Sequence, residues 1–315
     1  SADKEHYFKL YSGPEGYRSG ETKPAFLARH GAGPGPANPE KVPYYLLLVG
    51  DPQSIPYSFQ IQLDVQYAVG RIAFDTLDEY AQYAHSVVAA EKQKLSLPRN
   101  AAFFGVANPD DPATNLSADH LVAPLAAYLA QDPAGWNVNT ILRDEATKQR
   151  LGQLIGGEET PALLFSASHG LSFPYDPKDP SQQLAFNGSL LCQDWPGPKA
   201  WKSGKLPEEY YFAGKDVGPQ GLLGLIAYHF ACDGAGTPHM DEFAKADIKD
   251  KEAIAPYSFI SQLPKKMLAH PRGGALAVVG HVERAWSYSF NWGSAGDQLA
   301  VFESSLKRLI DGHPV

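Results

Sequence analysis

From Ala101 onward, short apolar runs that end at turn residues alternate with longer segments of helical periodicity. Strands that alternate with helices require crossover connections, and crossovers make the strands parallel and cover both faces of the sheet. The sequence therefore predicts an α/β fold with a mainly parallel sheet flanked by helices. The predicted strands are 101–107, 137–142, 162–168, 225–231 and 274–280, and the predicted helices are 118–131 (with Ser117 as N-cap), 146–155, 256–269 and 295–310.

The first hundred residues predict a smaller α/β subdomain. Thr76 and Glu79 have the spacing of a capping box at a helix start. We place a domain boundary after this helix, which divides the chain into an N-terminal subdomain of residues 1–96 and a larger domain of residues 97–315. The elements predicted before the boundary are loops over 1–40, strands at 44–50 and 65–72, and a helix from 77 to about Lys94.

Composition excludes several classes of function. The chain has 27 Lys and Arg against 35 Asp and Glu, and its net charge of −8 argues against binding to nucleic acid or an anionic membrane. No apolar run approaches the roughly 20 residues of a membrane-spanning helix. The sequence begins at Ser1 rather than Met, so we expect a processed form or a piece of a longer chain, and a lost targeting segment stays an open alternative.

Cysteine content narrows the chemistry further. Cys192 and Cys232 are the two cysteines of the sequence, which excludes a disulfide framework and a four-cysteine zinc site. A single bridge between them would consume a candidate nucleophile. We therefore expect both thiols to be reduced, as in the cytoplasm.

Two predicted strands end in residues that can act together as a nucleophile and a base. The apolar run 225–231 ends at Cys232 and a turn over 233–236, and the strand at 162–168 ends at His169 and Gly170. Open α/β sheets place their chemistry at the carboxyl ends of their strands. An imidazole there can take the proton of a thiol and activate it. Alone, a cysteine such as Cys232 is more often a small buried core residue.

These features together resemble the clan CD cysteine peptidases, which have the caspase-like fold. Within the clan the sequence is most similar to the gingipain-like family, which is related to the bacterial CHAT domains. The interval between His169 and Cys232 is longer than this resemblance leads us to expect, and the surplus lies in the irregular stretch 171–221. The resemblance rests on the ends His169-Gly170 and Ala231-Cys232 and on the segments LLLVGDPQSIPY (46–57), VQYAVGRIAFDTLDEYAQY (65–83) and GGALAVVGHVERAW (273–286).

The resemblance implies a cysteine endopeptidase that uses a His169–Cys232 dyad and cleaves a protein or peptide, typically after a basic P1 residue. It also implies an oxyanion site at the backbone of Gly170 and Cys232. It implies no cofactor. Calcium bound by loop carboxylates would be consistent with the resemblance, but the sequence contains no ordered calcium loop. The residues assigned to substrate binding are Asp110, Asp111, Asp233, Glu283 and Trp286, although Asp110 and Asp111 are equally consistent with ordinary turn and cap chemistry.

Other histidines have weaker cases. Alternation within its strand turns His229 to the face opposite Cys232, whereas His281 follows a strand end and could line the site. His239 and Asp241 lie in a loop, and we expect no metal there.

Two other functions compete with the peptidase. One is a catalytically idle caspase-like module that binds partners, and the other is an unrelated hydrolase or acyltransferase that uses Cys232. The presence of both His169 and Cys232 favours the peptidase over the idle module. A regulatory partner, or further domains of a longer chain, would fit either of the caspase-like alternatives.

Overall fold

The computed structural model describes residues 8–93, 98–202, 204–242 and 252–313. The chain forms two compact units. The first comprises the chain up to Phe74 with Tyr257–Phe259, and the second comprises Asp75–Pro256 and the chain from Ile260 onward. The candidate residues for catalysis all belong to the second unit.

The bounds of the regular elements follow, in chain order. The strands are β1 (Tyr45–Val49), β2 (Ala68–Ile72), β3 (Asn100–Gly105), β4 (Asn137–Leu142), β5 (Leu163–Ala167), β6 (Leu190–Leu191), β7 (Tyr211–Phe212), β8 (Ile226–Phe230), β9 (Gly236–Thr237), β10 (Phe259–Ile260) and β11 (Ala277–Gly280). The helices are α1 (Lys23–Arg29), α2 (Tyr57–Asp64), α3 (Leu77–Gln93), α4 (Pro112–Ser117), α5 (Ala123–Ala130), α6 (Lys148–Leu154), α7 (Ser181–Phe186), α8 (Gln262–Leu268) and α9 (Ala300–Ile310).

Five parallel strands form the sheet of the second unit, in the order β11-β8-β5-β3-β4. After β3 the chain first moves outward to β4, then returns to β5 and continues to the other side through β8 and β11. The order of strands therefore reverses between β3 and β5, and open α/β sheets form a crevice at such a point. The predicted α/β fold, with a parallel sheet flanked by helices, is confirmed.

Both faces of this sheet are covered, as parallel sheets require. Successive side chains of a strand point to opposite faces of the sheet. Side chains at alternate positions therefore pack against α6 and α8 on one face and against α5 and α9 on the other. The first layer includes Phe104, Leu151, Leu164, Ala227, Leu263 and Met267. The second includes Phe103, Leu125, Leu129, Phe165, Phe302 and Leu306.

The helical segment after β3 differs from the sequence prediction. Its first helix, α4, begins at Pro112, and the Asp111 side chain accepts hydrogen bonds from the backbone N–H groups of Ala113 (3.0 Å) and Thr114 (3.3 Å). An aspartate cap followed by proline is a strong helix start, so the predicted cap at Ser117 is wrong. The Ser117 hydroxyl instead donates to the Thr114 carbonyl inside the helix.

Other boundaries shift for local reasons. The chain before residue 40 was predicted as loops, but α1 forms there because Thr22 caps it and Pro24 occupies its first turn. The predicted strand at 65–72 begins only at Ala68, since α2 extends to Asp64. The helix expected from residue 256 begins at Gln262.

In the first unit, the Gly-Asp turn and the Gly-Arg strand of the N-terminal resemblance are in direct contact. The parallel strands β1 and β2 pair in register, and the Arg71 guanidinium in β2 donates to the carbonyl of Gly50 (2.8 Å) and to that of Ile55 (2.6 Å). The Asp51 carboxylate accepts from the N–H of Ser54 at 2.7 Å. The Gly-Asp turn and the Gly-Arg strand are thus held together by one partly buried cation.

The predicted helix end at Lys94 and the predicted boundary between residues 96 and 97 lie outside the described residues. Helix α3, which the sequence analysis placed in the N-terminal subdomain, belongs to the second unit. Its Glu79 pairs with Lys266 at 2.9 Å, and the Ser86 hydroxyl accepts from the N–H of Gly274 at 2.9 Å. The Thr76–Glu79 capping box is present at its start.

Candidate functional site

The loops after β5 and β8 bring His169 and Cys232 to the same edge of the sheet. The two strands pair up to Ala167 and Phe230, and the pairing continues with a hydrogen bond from the Ser168 N–H to the Phe230 carbonyl at 3.3 Å. His169 and Cys232 are each the second residue after this pair. Because both strands run parallel, both residues lie at their carboxyl ends.

Gly170 packs directly against the backbone of Cys232. A Cβ atom on Gly170 would overlap the carbonyl oxygen of Cys232 and lie 2.7 Å from its nitrogen and its carbonyl carbon. Only a residue without a side chain allows this approach. The two backbone segments assigned to the oxyanion site are therefore neighbours.

His169 makes a short hydrogen bond to a carboxylate across the sheet edge. Its Nε2 lies 2.5 Å from Oδ2 of Asp111, which follows β3, so the pair spans the point where the strand order reverses. Since a carboxylate only accepts, Nε2 carries the proton and Nδ1 of the neutral ring keeps its lone pair. Asp111 was assigned to substrate binding, but its side chain contacts His169 and the start of α4.

The charge state of Asp111 suits this contact. Burial raises the pKa of the carboxyl group, but the hydrogen bond from His169 and those from the N–H groups of Thr114 and Ala113 outweigh it, and the pKa lies below its ordinary value. Asp111 is thus an anion at neutral pH. Its hydrogen bond fixes the orientation of the His169 ring.

The Cys232 thiol is half-buried against the segment after β11. The N–H of Ala285 lies 3.4 Å from Sγ, in position to donate a hydrogen bond to it. Burial raises the pKa of the thiol above its ordinary value, although the Ala285 contact lowers it. The thiol is therefore protonated at neutral pH and needs a base to become a nucleophile. Ala285 has no signal in the sequence, because its contact with Sγ depends on backbone position alone.

The other residues assigned to substrate binding separate into distinct environments. Asp110 is on the surface, where it pairs with Lys199 at 2.6 Å. Trp286 directly follows Ala285 and is 44% exposed. Asp233 is buried, and its carboxyl group accepts hydrogen bonds from Ser172 and Thr237.

Glu283 is a buried acid whose carboxyl group has one hydrogen bond and one ion pair. Its Oε2 accepts from the Glu242 N–H at 3.1 Å, whereas Oε1 has no hydrogen-bond donor among the described residues and lies 3.7 Å from Nε of Arg284. Burial raises the pKa of Glu283 to about 7, with Asp241 adding to the effect. Because Glu283 precedes Ala285 by two residues, this carboxyl group belongs to the segment that touches the thiol.

His229 lies inside the sheet, away from the edge. It is fully buried, and its Nδ1 lies 2.7 Å from the Ser166 hydroxyl on the neighbouring strand β5. Its alternate position in β8 places it on the face opposite Phe230, which packs in the other core layer. The pair joins the two strands that carry His169 and Cys232, and burial lowers the pKa of His229 to about 4.

We expect His229 to make folding stability depend on acid. The folded protein keeps the ring neutral, whereas the unfolded chain takes up a proton near the ordinary pKa of 6.5, so stability falls as the pH drops from about 6.5 to about 4. The shift corresponds to about 3 kcal/mol of unfolding free energy. Urea unfolding of wild type and His229→Gln over this pH range measures the difference. Ser166→Ala should retain the acid dependence, and equal pH slopes for wild type and His229→Gln would contradict the prediction.

The remaining polar candidates have structural partners. His281 packs its ring against Phe230, with centroids 4.9 Å apart, and its backbone carbonyl accepts from Ala235. Nδ1 of His239 lies 2.6 Å from the Ala255 carbonyl, and Asp241 pairs with Arg284 at 2.8 Å. Across residues 8–93, 98–202, 204–242 and 252–313, no group of three or more His, Cys, Asp or Glu is arranged to hold a metal ion.

Comparisons with known proteins give distant matches in structure alone. No family model matches the sequence, and no curated protein matches it. A crystal structure of the Arg-specific cysteine proteinase gingipain R matches with a TM-score of 0.44 and 12% identity, over 77% of this chain and 49% of that chain. A complex of the pro- and mature domains of Porphyromonas gingivalis RgpB matches with a TM-score of 0.43 and 12% identity, over 77% and 50%. The chain spans about half the length of these solved chains.

Both thiols are free, as expected from the sequence. In the part of the chain that the structure describes, none of the helices has the length and apolar character needed to cross a membrane.

Proposed function

We propose that this protein is a cysteine endopeptidase in which Cys232 is the nucleophile and His169 the general base. The observation that carries the proposal is the convergence of His169, its partner Asp111 and Cys232 at one sheet edge, on three loops that follow adjacent strands. Nucleophilic catalysis needs a thiol, a base and a group that orients the base. This edge supplies each of the three.

The proposed reaction proceeds in two stages. The Sγ–H proton passes to Nδ1 of His169 as Sγ attacks the scissile carbonyl carbon, and the resulting oxyanion accepts hydrogen bonds from the backbone N–H groups of Gly170 and Cys232. The imidazolium then donates its proton to the leaving amine, and the C–N bond breaks to leave a thioester. Water, deprotonated by His169, hydrolyses the thioester and regenerates the thiol. No cofactor takes part.

We also propose a basic P1 residue in the protein or peptide substrate. Asp111 is engaged by His169, and Asp110 lies on the surface beside Lys199. We assign the P1 cation to Glu283, which is buried and has one oxygen without a hydrogen-bond donor among the residues that the structure describes, 3.7 Å from Nε of Arg284. A buried carboxyl group with one oxygen lacking a donor gains most from an incoming charged donor. Trp286, on the same segment, supplies an apolar surface for the aliphatic part of a long side chain.

Labelling with peptidyl acyloxymethyl ketones tests the proposal. A probe ending in Arg or Lys should alkylate Cys232 of wild type, because only an activated thiolate attacks such a mild electrophile. It should react at least about tenfold faster than matched probes ending in Leu or Asp, since Glu283 favours a cation. Glu283→Gln should abolish this preference while labelling persists. Intact-mass and peptide-mass spectrometry measure the rate and the site.

Matched variants separate the alternatives. Cys232→Ala should remove labelling, whereas Cys192→Ala and Asp110→Asn should retain both labelling and probe preference. Absence of labelling by every probe would favour the catalytically idle partner-binding module, which the sequence left as the alternative. A preference for Asp or an apolar P1 would contradict the basic specificity and leave the His169–Cys232 pair intact.

A further inference from the structure

The carboxyl group of Asp233 joins the loop that carries His169 to the turn that carries Cys232. Asp233 directly follows Cys232 and is 3% exposed. One of its carboxyl oxygens accepts a hydrogen bond from the hydroxyl of Ser172, which lies three residues after His169. The other accepts from the hydroxyl of Thr237, in the segment after Cys232, at 2.8 Å.

A second buried side chain makes the same connection. The Asn187 side chain donates through Nδ2 to the Thr237 hydroxyl at 3.2 Å. Its Oδ1 accepts from the N–H of Phe173, the residue after Ser172, at 2.8 Å. The His169 loop and the Cys232 turn are therefore tied by a continuous chain of hydrogen bonds, which is buried at Asn187, Thr237 and Asp233 and partly buried at its Ser172 and Phe173 ends. Each buried polar group in such a chain is costly to leave unpaired.

The backbone of Asp233 is held equally firmly. Its φ angle of 54° lies in the left-handed region, which is uncommon for a residue other than glycine and persists where surrounding contacts enforce it. Its N–H donates to the Glu283 carbonyl, and its own carbonyl accepts from the Ser261 hydroxyl, both at 2.5 Å. A Cβ atom on Gly188 would overlap that carbonyl, so the chain packs closely around it.

We propose that Asp233 is a positioning residue, which fixes the His169 loop against the Cys232 turn through its hydrogen bond with Ser172. The inference rests on the proposed function, because it concerns the same His169–Cys232 pair. Asp233 is buried, and both of its carboxyl oxygens accept hydrogen bonds from the protein. Its side chain therefore holds these loops together and does not make the substrate contact that the sequence predicted. Loss of the link displaces the base from the thiol, and a displacement near 1 Å is enough to slow a catalysed step severely.

The rate of alkylation of Cys232 by iodoacetamide tests this without any peptide-binding site. Ser172→Ala should lower the rate constant at pH 7 about tenfold, a change within the range expected for a misplaced base. Ser261→Ala is the control, because it removes another serine hydroxyl bonded to Asp233, at its backbone carbonyl, and leaves the Ser172 link intact. Asp233→Asn, whose amide can still bond both hydroxyls, should retain more of the rate than Asp233→Ala.

A double variant shows whether Ser172 affects the alkylation rate through His169. In a His169→Ala background, Ser172→Ala should have no further effect on the rate, since the residue it positions is gone. An equal loss of rate in that background, or a loss no greater than that of Ser261→Ala, would overturn the proposal. Thermal unfolding of each variant measures stability alongside.

One result would refute the proposed function, and a separate measurement would then still test Asp233 as a positioning residue. If His169→Ala is alkylated as fast as wild type, His169 is not the base for Cys232. Hydrogen exchange then gives the answer for Asp233. Faster exchange of the amides of residues 169–173 in Ser172→Ala and Asp233→Ala, but not in Ser261→Ala, supports the link, and unchanged exchange overturns it.

Discussion

Asp111→Asn should lower the rate of substrate or probe turnover about 10²- to 10³-fold while the protein stays folded, as expected for loss of the anion that orients a catalytic imidazole. An asparagine side chain at this position can donate to Nε2 of His169, which favours the tautomer with Nδ1 protonated. The lone pair that should take the thiol proton is then lost. Asparagine caps helices as well as aspartate does, so α4 keeps its start and the loss of unfolding free energy should stay below about 2 kcal/mol.

A comparison of caps isolates the effect on His169. Thr147 caps α6 through a hydrogen bond from the Arg150 N–H at 3.2 Å and has no part in the site. Thr147→Ala should cost about 1 kcal/mol of stability and leave the rate unchanged. Steady-state kinetics and urea unfolding of the two variants decide the matter. If Asp111→Asn keeps more than half of the wild-type rate, Asp111 is only a helix cap.

Gly170→Ala should abolish labelling of Cys232 and cost about 3 kcal/mol or more of unfolding free energy, at the upper end for overpacked sites. The added Cβ would overlap the backbone carbonyl of Cys232. A flexible side chain can rotate away from such an overlap, but a backbone carbonyl moves only with its chain, and the next residue, Asp233, is held by its N–H to the Glu283 carbonyl. The His169 loop must therefore move away from the turn that carries Cys232.

Gly152→Ala is the matched control for this change. Gly152 lies inside α6, and a Cβ there meets only the Phe212 ring, at an ordinary contact distance of 3.7 Å. Alanine in a helix interior is favoured over glycine by about 1 kcal/mol, so this variant should be slightly more stable and fully active. Circular dichroism with probe labelling tests both variants. Normal labelling of Gly170→Ala would show that the two backbones are not required to touch.

Most of the second unit could be predicted from the sequence because its strands carry strong local signals. The segments Leu163–Ala167 and Ile226–Phe230 are short, largely apolar and bounded by turn residues. This pattern alone predicts that each forms a strand, and the helices between strands predict that the strands are parallel. The start of α4 was missed because the helix cap was predicted at Ser117, while Asp111 was assigned to substrate binding with ordinary turn and cap chemistry as an equal alternative. A turn and a helix cap use the same short-range hydrogen bonds of the aspartate side chain, and only the packing of the following residues distinguishes them.

The site was predictable in part for a similar reason. His169 and Cys232 end their strands, and parallel pairing delivers them to one edge. The contact between Asp111 and His169 depends instead on the order of β3 and β5 in the sheet, which sequence periodicity does not specify. The Ser172 hydroxyl reaches Asp233 only through the conformation of its loop, and Ala285 contacts Sγ through its backbone N–H, so neither contact could be predicted from sequence periodicity.

The pairing of β5 with β8 also has a consequence for how the chain folds. β5 is a central strand, but its partner β8 follows only after the long stretch that contains α7, β6 and β7. Contacts between segments so distant in sequence form slowly, and until they form β5 presents an unpaired edge. Cys232 meets His169 only when β8 docks. We therefore expect the edge that carries His169 and Cys232 to form late, and the same delay exposes the apolar centre of the sheet to self-association during synthesis.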